Sequence, residues 1–205
     1  MLAVVLLVGV QTAAVAGYDE GLSAYSAKDY VKALKEWEPL AKQHNLDALY
    51  GLCVMNANGF GVAKNRMRAI DLCQRPAENG NVDAQVLLGG LFVLIEPAND
   101  VESRKWLLKA AVQGNSTAQV SLALRYYQGD GFRKDVALAY MFTNLAAQNG
   151  SKQAMDFKAE LESELLNEQV AEGRALANGW RPGTPFPAAS RTGKQIAKLN
   201  KKSGS

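Results

Sequence analysis

Apolar residues in this chain recur at helical spacing in short segments, and the same pattern restarts along the sequence. Its clearest marker is an alanine near the start of each segment, at Ala48, Ala84, Ala118 and Ala154, with spacings of 36, 34 and 36 residues. A period of this length predicts stacked helix pairs, because one pair cannot bury its own apolar face and needs a neighbour on each side. We therefore expect an all-α fold, a right-handed solenoid of stacked antiparallel helix hairpins, with almost no strand.

Glycine pairs mark the turn inside a repeat. In the first complete repeat the apolar stripe of the opening helix ends at Gly59 and Gly61, which can adopt positive φ and let the chain reverse within a few residues. Gly129 and Gly131 take the same place in the last complete repeat. Both pairs lack the preceding strand and the third glycine of a nucleotide-binding loop, so they indicate bends and not phosphate sites.

The order of these residues carries a family resemblance. After Ala48 come Gly59-Phe60-Gly61-Val62, then Ala69 and Leu72, then Glu78-Asn79-Gly80. This order resembles the Sel-one-like repeat, a relative of the tetratricopeptide repeat, and three consecutive copies share its period. The resemblance divides a solenoid spanning 17–180 into an opening half-repeat, three repeats and closing helices, at 18–47, 48–83, 84–117, 118–153 and 154–180.

The resemblance also implies a function. It implies a non-enzymatic scaffold of the bacterial cell envelope that needs no cofactor, acts as a monomer and serves a binding or regulatory role. The concave face of such a scaffold, formed mainly by first helices, holds a peptide or protein. Helical spacing predicts the groove side chains, although a tyrosine stripe at this spacing can equally belong to the core. They are Tyr50, Val54, Val86, Gly90, Val120, Leu124 and Tyr127. Phe92 is a further candidate, because the apolar run at 87–95 is more than one helix face can bury and part of it should face solvent or a partner.

The first residues of the chain differ from the repeats. Leu2 to Val10 is an apolar run too short to cross a bilayer, and Ala14-Val15-Ala16 has the small-x-small pattern that a signal peptidase cuts after. Gly17-Tyr18-Asp19-Glu20 then breaks the apolar character abruptly. We predict a signal peptide at 1–16 and a periplasmic protein; an apolar first helix of the array is the alternative.

Export changes what the two cysteines mean. In an oxidising compartment Cys53 and Cys73 are expected to form a disulfide, whereas in the cytosol they would be two buried thiols. They lie at similar distances from the turn near 58–64, so antiparallel helices folded about that turn would bring them side by side. The pairing and the two thiols remain alternatives at this point.

Positive charge is concentrated at the carboxyl end. Residues 181–205 carry six basic side chains and no acidic one, whereas the other 17 basic and 20 acidic residues leave a net charge of −3. Such a sparse basic segment with one aromatic residue, Phe186, indicates a solvated, disordered tail and no nucleic-acid partner. Contact between this tail and anionic envelope components is the other interpretation.

The sequence offers few groups for catalysis. Its one histidine, His44, stands where the other repeats have their closing glycine, so we expect it on the surface and predict no multi-histidine metal site. The carboxylates of the last repeat region predict a solvated helix face more than a paired-acid glycosidase site: Glu160, Glu162, Glu164 and Glu168. The motif S-x-x-K is absent, and Arg191-Thr192-Gly193 matches K-T-G only weakly. A cell-wall or β-lactam-active enzyme is therefore the weakest alternative.

Overall fold

A computed structural model describes residues 17–195, and every regular element within that range is a helix. The signal peptide predicted at 1–16 and the last residues of the tail, 196–205, lie outside the described residues. Helix α1 covers residues 17–26. The helices that follow are α2 (Tyr30–Lys42), α3 (Leu46–Asn58), α4 (Arg66–Glu78), α5 (Val82–Leu94), α6 (Asp100–Val112), α7 (Ser116–Gln128), α8 (Val136–Gln148), α9 (Lys152–Glu164) and α10 (Asn167–Gly179).

A repeated helix cap explains the repeated alanine. The residue three positions before each alanine caps a first helix, because its side-chain oxygen accepts a hydrogen bond from the backbone N–H of the alanine. The N···O distances are 2.9 Å for Asn45, 2.8 Å for Asn81, 2.9 Å for Asn115 and 3.3 Å for Ser151. All four alanines are 0% exposed. Each alanine therefore marks the first turn of a helix and also lets neighbouring helices approach closely.

The turn glycines adopt the backbone conformation that the sequence predicts. Gly59 and Gly61 have φ of 81° and 68°, and Gly129 and Gly131 have φ of 79° and 65°. Gly59 is also the cap at the end of α3, where its N–H donates to the carbonyl of Met55. The repeat at 84–117, which lacks such a glycine pair, ends α5 at Leu94 and starts α6 at Asp100.

The helices form two compact units, one that ends at Ala98 and one that begins at Asn99. In the amino-terminal unit α2 packs on α3, α3 on α4 and α4 on α5. In the carboxy-terminal unit α6 packs on α7, α7 on α8, and α8 on both α9 and α10. Consecutive helical hairpins are thus the building blocks, which confirms the predicted all-α fold.

Each unit has its own large buried side chains. In the amino-terminal unit Trp37 of α2 lies between Gly21 of α1 and Gly51 of α3, and its ring occupies the space where either glycine would carry a Cβ atom. In the carboxy-terminal unit residues 137–146 of α8 are all buried. A helix that is apolar all round must be covered on all sides, and part of that cover comes from residues beyond α10.

Candidate partner-binding surface

Two of the candidates from the sequence, Tyr50 and Val54, lie on one face of α3 together with Asp47. Asp47, Tyr50 and Val54 are spaced by three and four residues, so they share one side of the helix. Asp47 is exposed, and Tyr50 and Val54 are half-buried. The tyrosine is therefore neither a core residue nor freely solvated, and part of its ring is available for contact.

Helix α5 repeats this arrangement one repeat later. Asp83, Val86 and Gly90 occupy the corresponding positions, with Val86 half-buried and Asp83 and Gly90 exposed. A Cβ atom at Gly90 would have no neighbour within 4 Å, so this part of the face is open. Phe92 does not share it, because it lies about 120° around the helix from Val86. We call the surface formed by these residues the α3–α5 face: Asp47, Tyr50, Val54, Asp83, Val86 and Gly90.

Electrostatics link the parts of this face. Burial, then the charge of Asp83, raises the pKa of Tyr50 above its usual value of 10.0. Burial, then the charges of Asp47 and Asp19, does the same to the pKa of Tyr18 in α1. Each tyrosine is therefore within electrostatic range of an exposed carboxylate on the next first helix, Asp47 for Tyr18 and Asp83 for Tyr50.

The candidates in α7 are placed differently. Val120 is 5% exposed and packs with Ala146 and Ala154, while Leu124 lies against that cluster. For Val120 the groove assignment is corrected: its side chain is core, since α8 and α9 supply the alanines that cover it. Tyr127 is half-buried, and it is held from two sides.

Tyr127 packs edge-on against Phe157 of α9, with ring centroids 5.6 Å apart. Its hydroxyl donates to the carboxylate of Glu164, and this hydrogen bond is the main reason that the pKa of Tyr127 is raised. A second tyrosine, Tyr140, likewise donates to Glu162, which also accepts from Arg174 at 3.1 Å. Two of the four candidate carboxylates of this region therefore fasten α9 to its neighbours.

The disulfide anchors the helix that carries Tyr50 and Val54. Cys53 and Cys73 are bonded with a Cα–Cα distance of 5.3 Å, and both are 0% exposed. The bond joins α3 to α4 across their turn, in the pairing that the sequence analysis favoured. It holds the helix that carries Tyr50 against the second helix of its own repeat.

A shallow groove runs along the opposite side of the amino-terminal unit. It has a volume of about 490 Å³ and lies between α2 and α4, with α3 as its floor. Its lining mixes apolar side chains with charges of both signs: Leu34, Glu38, Ala41, Lys42, Leu49, Leu52, Asn56, Val62, Arg68 and Leu72. Its charged side chains are one acid, Glu38, and two bases, Lys42 and Arg68, so the lining carries a net charge of +1.

The carboxyl-terminal segment is the feature that the sequence analysis missed. We expected disorder from residue 181, yet residues 186–193 make specific contacts with α8 and α10. Phe186 contacts Trp180 in a stacked pair and Phe142 of α8 edge-on, both with ring centroids 4.7 Å apart. Phe186 of the tail thus covers the side of α8 that carries Phe142, and α8 in turn shields Phe186.

Two carboxylates then hold the segment's backbone. Asp135, the cap of α8, accepts from the N–H of Ser190 at 2.8 Å. Glu172 of α10 accepts from the N–H groups of Arg191 and Thr192 and from the Thr192 hydroxyl. Burial alone would raise the pKa of Glu172, but these hydrogen bonds, with the charge of Arg191, hold the pKa below its usual value of 4.5. We call residues 186–193 the docked segment.

The remaining candidates for chemistry are dispersed. His44 is exposed in the turn before α3, and Glu160 and Glu168 are exposed on their helices. Within residues 17–195 no group of three or more His, Cys, Asp and Glu side chains is placed to hold a metal ion. No helix of that same range is both long and apolar enough to span a membrane.

These features define an α-helical repeat protein. The Sel1 repeat family model matches residues 46–81, 82–115 and 116–151, which together make up just over half of the chain. The chain therefore belongs to the Sel1 repeat family. The matched repeats begin two residues before the borders predicted from the alanines, in agreement with the observed starts of α3, α5 and α7. Sel1 repeat proteins generally mediate protein–protein interaction and are typically non-enzymatic scaffolds.

Known proteins resemble parts of the chain. The alginate biosynthesis protein AlgK of Azotobacter vinelandii is 32% identical over 112 residues, covering 51% of this chain and 24% of that protein. An F-box protein of Arabidopsis thaliana is 36% identical over 62 residues, covering 30% and 18%. A solved Sel1 repeat protein from Oxalobacter formigenes has a TM-score of 0.59 at 26% identity, covering 72% of this chain and 44% of that one. The chain thus spans less than half the length of each of these proteins.

Proposed function

We propose that this protein is a non-enzymatic scaffold of the bacterial cell envelope that binds a peptide or protein partner on a concave face formed mainly by its first helices. The observation that carries this proposal is the α3–α5 face. Tyr50 is aromatic, Val54 and Val86 are apolar, and all three stay half-buried, so they offer contact area to a partner. Gly90 leaves room beside them for a side chain of the partner.

The rigidity of this face supports a scaffold. Tyr50 and Val54 stand on a helix that is capped by Asn45, packed on Trp37 and bonded to α4 through Cys53. A surface that is already ordered loses little conformational entropy when a partner binds. The face therefore suits recognition by a preformed surface.

Location outside the cytosol is supported by two observations. The disulfide between Cys53 and Cys73 is of the kind that persists in an oxidising compartment. The sequence of residues 1–16 has the apolar core and the small-residue cleavage pattern of a signal peptide. These observations support our proposal of a periplasmic location.

Photo-cross-linking in living cells tests the proposal. A photoreactive amino acid at Tyr50 is expected to give a covalent adduct with a partner, recovered from the periplasmic fraction. The control carries the same amino acid at Val31, which is 74% exposed on α2 of the same unit. No adduct at position 50, or the same adducts from both positions, would contradict binding by the first helices; recovery only from the cytosol would contradict the location.

A further inference from the structure

The charged side chains on the first helices of the amino-terminal unit are all acidic. Helix α1 contributes Asp19 and Glu20, α3 contributes Asp47, and α5 contributes Asp83; these three helices, within the described residues, contain no lysine or arginine. All four carboxylates are exposed. The second helices of the same unit, α2 and α4, carry both signs of charge. The negative charge is therefore a property of one side of the unit.

No cation of the described chain neutralises these acids. The ion pairs found among residues 17–195 all belong to the carboxy-terminal unit, where they join Glu102 to Lys105, Asp100 to Arg125 and Glu162 to Arg174. Unpaired carboxylates on one surface create a field that attracts a cationic group and repels an anionic one. The raised pKa of both Tyr18 and Tyr50 is consistent with that field.

The fold itself does not require acids at these positions. Asp47 and Asp83 lie in the first turn of their helices, where a carboxylate interacts favourably with the helix dipole. However, the corresponding positions of α7 and α9 hold Thr117 and Gln153, and those helices are capped in the same way. Helix formation therefore leaves the acidic choice in α3 and α5 unexplained.

Apolar contact area lies between the acids. Along α3 the order is acid, tyrosine and valine at Asp47, Tyr50 and Val54, and α5 offers Asp83, Val86 and an open position. A partner that covers this face must bring apolar side chains to its centre and positive charges to its acidic ends. An anionic polymer, a nucleic acid or an anionic membrane would meet repulsion there.

We infer that the partner segment bound by the α3–α5 face is basic and amphipathic, with lysine or arginine side chains directed at Asp19, Asp47 and Asp83 and apolar side chains packed on Tyr50, Val54 and Val86. This inference rests on the proposed function and adds the chemical class of the partner. Complementary charge gives such a complex its specificity and a fast, salt-dependent association.

Two designed peptides test the inference with the disulfide-bonded protein. One has leucine at every third or fourth position and lysine at the polar positions, and the other has glutamate in place of lysine. The lysine peptide is expected to bind, to weaken with added salt and to shift the NMR signals of Tyr50, Val54 and Val86. The triple variant Asp19→Asn, Asp47→Asn, Asp83→Asn is expected to bind it about tenfold more weakly, because each exposed charge pair contributes modestly.

A matched variant controls for net charge. Glu38→Gln, Asp71→Asn and Glu78→Gln neutralise three exposed acids on the second helices of the same unit and should leave binding unchanged. Circular dichroism establishes that both triple variants are folded. Equal affinity for the two peptides, binding of neither, or equal weakening by both triple variants would overturn the inference.

The test also separates this inference from the function on which it rests. If Tyr50 cross-links a partner through a neutral or acidic segment, the scaffold stands and the basic partner does not. If the protein alone forms dimers in sedimentation experiments and Asp47→Asn with Asp83→Asn abolishes them, the face is occupied by a second copy, which would also overturn the inference.

Discussion

The effect of a substitution on stability depends more on the neighbours of a residue than on its type, as two helical glycines show. A Cβ atom at Gly51 would lie 2.6 Å from a ring carbon of the buried Trp37, whereas at Gly90 it would meet nothing within 4 Å. We expect Gly51→Ala to destabilise the protein by about 1–3 kcal/mol, because the packed ring cannot withdraw. Gly90→Ala should stabilise it by up to about 1 kcal/mol, since alanine favours helix.

Chemical unfolding in urea with the disulfide intact measures both changes. The two variants make the same substitution within neighbouring repeats, so each serves as the other's control. A stabilising effect of both, or a neutral effect of Gly51→Ala, would show that Trp37 does not fill the space beside α3. The sequence alone could not separate these glycines, because the contact that distinguishes them comes from a residue of another helix.

The candidate site shows the same limit at residue scale. Val86 and Val120 hold corresponding positions in consecutive repeats, and helical spacing assigned both to the groove. Val86 is half-buried, but Val120 is core because Ala146 and Ala154 pack on it. Periodicity within one helix predicts which way a side chain points, and it says nothing about what the next helices place there.

At the scale of the element, the prediction from sequence was strongest. The spacing of Ala48, Ala84, Ala118 and Ala154 predicted the helices because the cap, the buried alanine and the turn glycine are all local features of the chain. The same hairpin geometry favoured the disulfide, although the sequence left two buried thiols as the alternative. Each of these features is set by residues close in sequence, which is why they could be predicted without coordinates.

The end of α2 carries the strongest prediction at this scale. His44 has φ of 66° in the turn before α3, and the corresponding residues Gly80, Gly114 and Gly150 have φ of 91°, 85° and 83°. Side chains other than glycine are strained in this left-handed region by roughly 1–2 kcal/mol. We expect His44→Gly to stabilise the protein by about 0.5–1 kcal/mol, since glycine relieves that strain but gains freedom in the unfolded chain.

Thermal unfolding of His44→Gly and of the reverse change, Gly80→His, checks this expectation. Gly80 has nothing within 4 Å of its Cβ position, so any loss of stability there reports the backbone and not a clash. Opposite shifts in midpoint temperature are expected. Shifts of the same sign would mean that the imidazole of His44 contributes a stabilising contact that outweighs its backbone strain.

At the scale of the whole molecule, composition gave a wrong prediction of disorder for the tail, because the packing of the tail on α8 and α10 orders part of it. The tail is basic and contains proline and glycine, which is typical of a solvated extension. However, α8 is buried along residues 137–146, and an all-round apolar helix at the end of a repeat array needs an additional cover. That signal was present in the sequence, but identifying Phe186 as the cover required knowing that the chain turns back after α10.

The docked segment gives the last prediction, which concerns pH. Docking holds the pKa of Glu172 below 4.5, so it favours the charged carboxylate. The contact is therefore complete above the ordinary pKa and is lost as pH falls through the lowered one. Glu172→Gln should release Arg191 and Thr192 at neutral pH, because a carboxamide replaces a charged acceptor whose hydrogen bonds are worth about 1.5–3 kcal/mol each at most. NMR shifts of these two amides report docking directly.

Glu168→Gln is the control, since Glu168 is an exposed acid one turn earlier on α10. In this variant the amide signals of Arg191 and Thr192 should titrate as in the unaltered protein. Phe186→Ala separates the aromatic contact from the ionic one. It should weaken docking at every pH, but in the molecules that remain docked the pKa of Glu172 should stay below that of a free carboxyl. If Glu172→Gln leaves both amides at their docked shifts across the titration, the carboxylate does not hold the segment. Docking would then depend on Asp135 and the aromatic contact alone, and the predicted pH dependence would disappear with it.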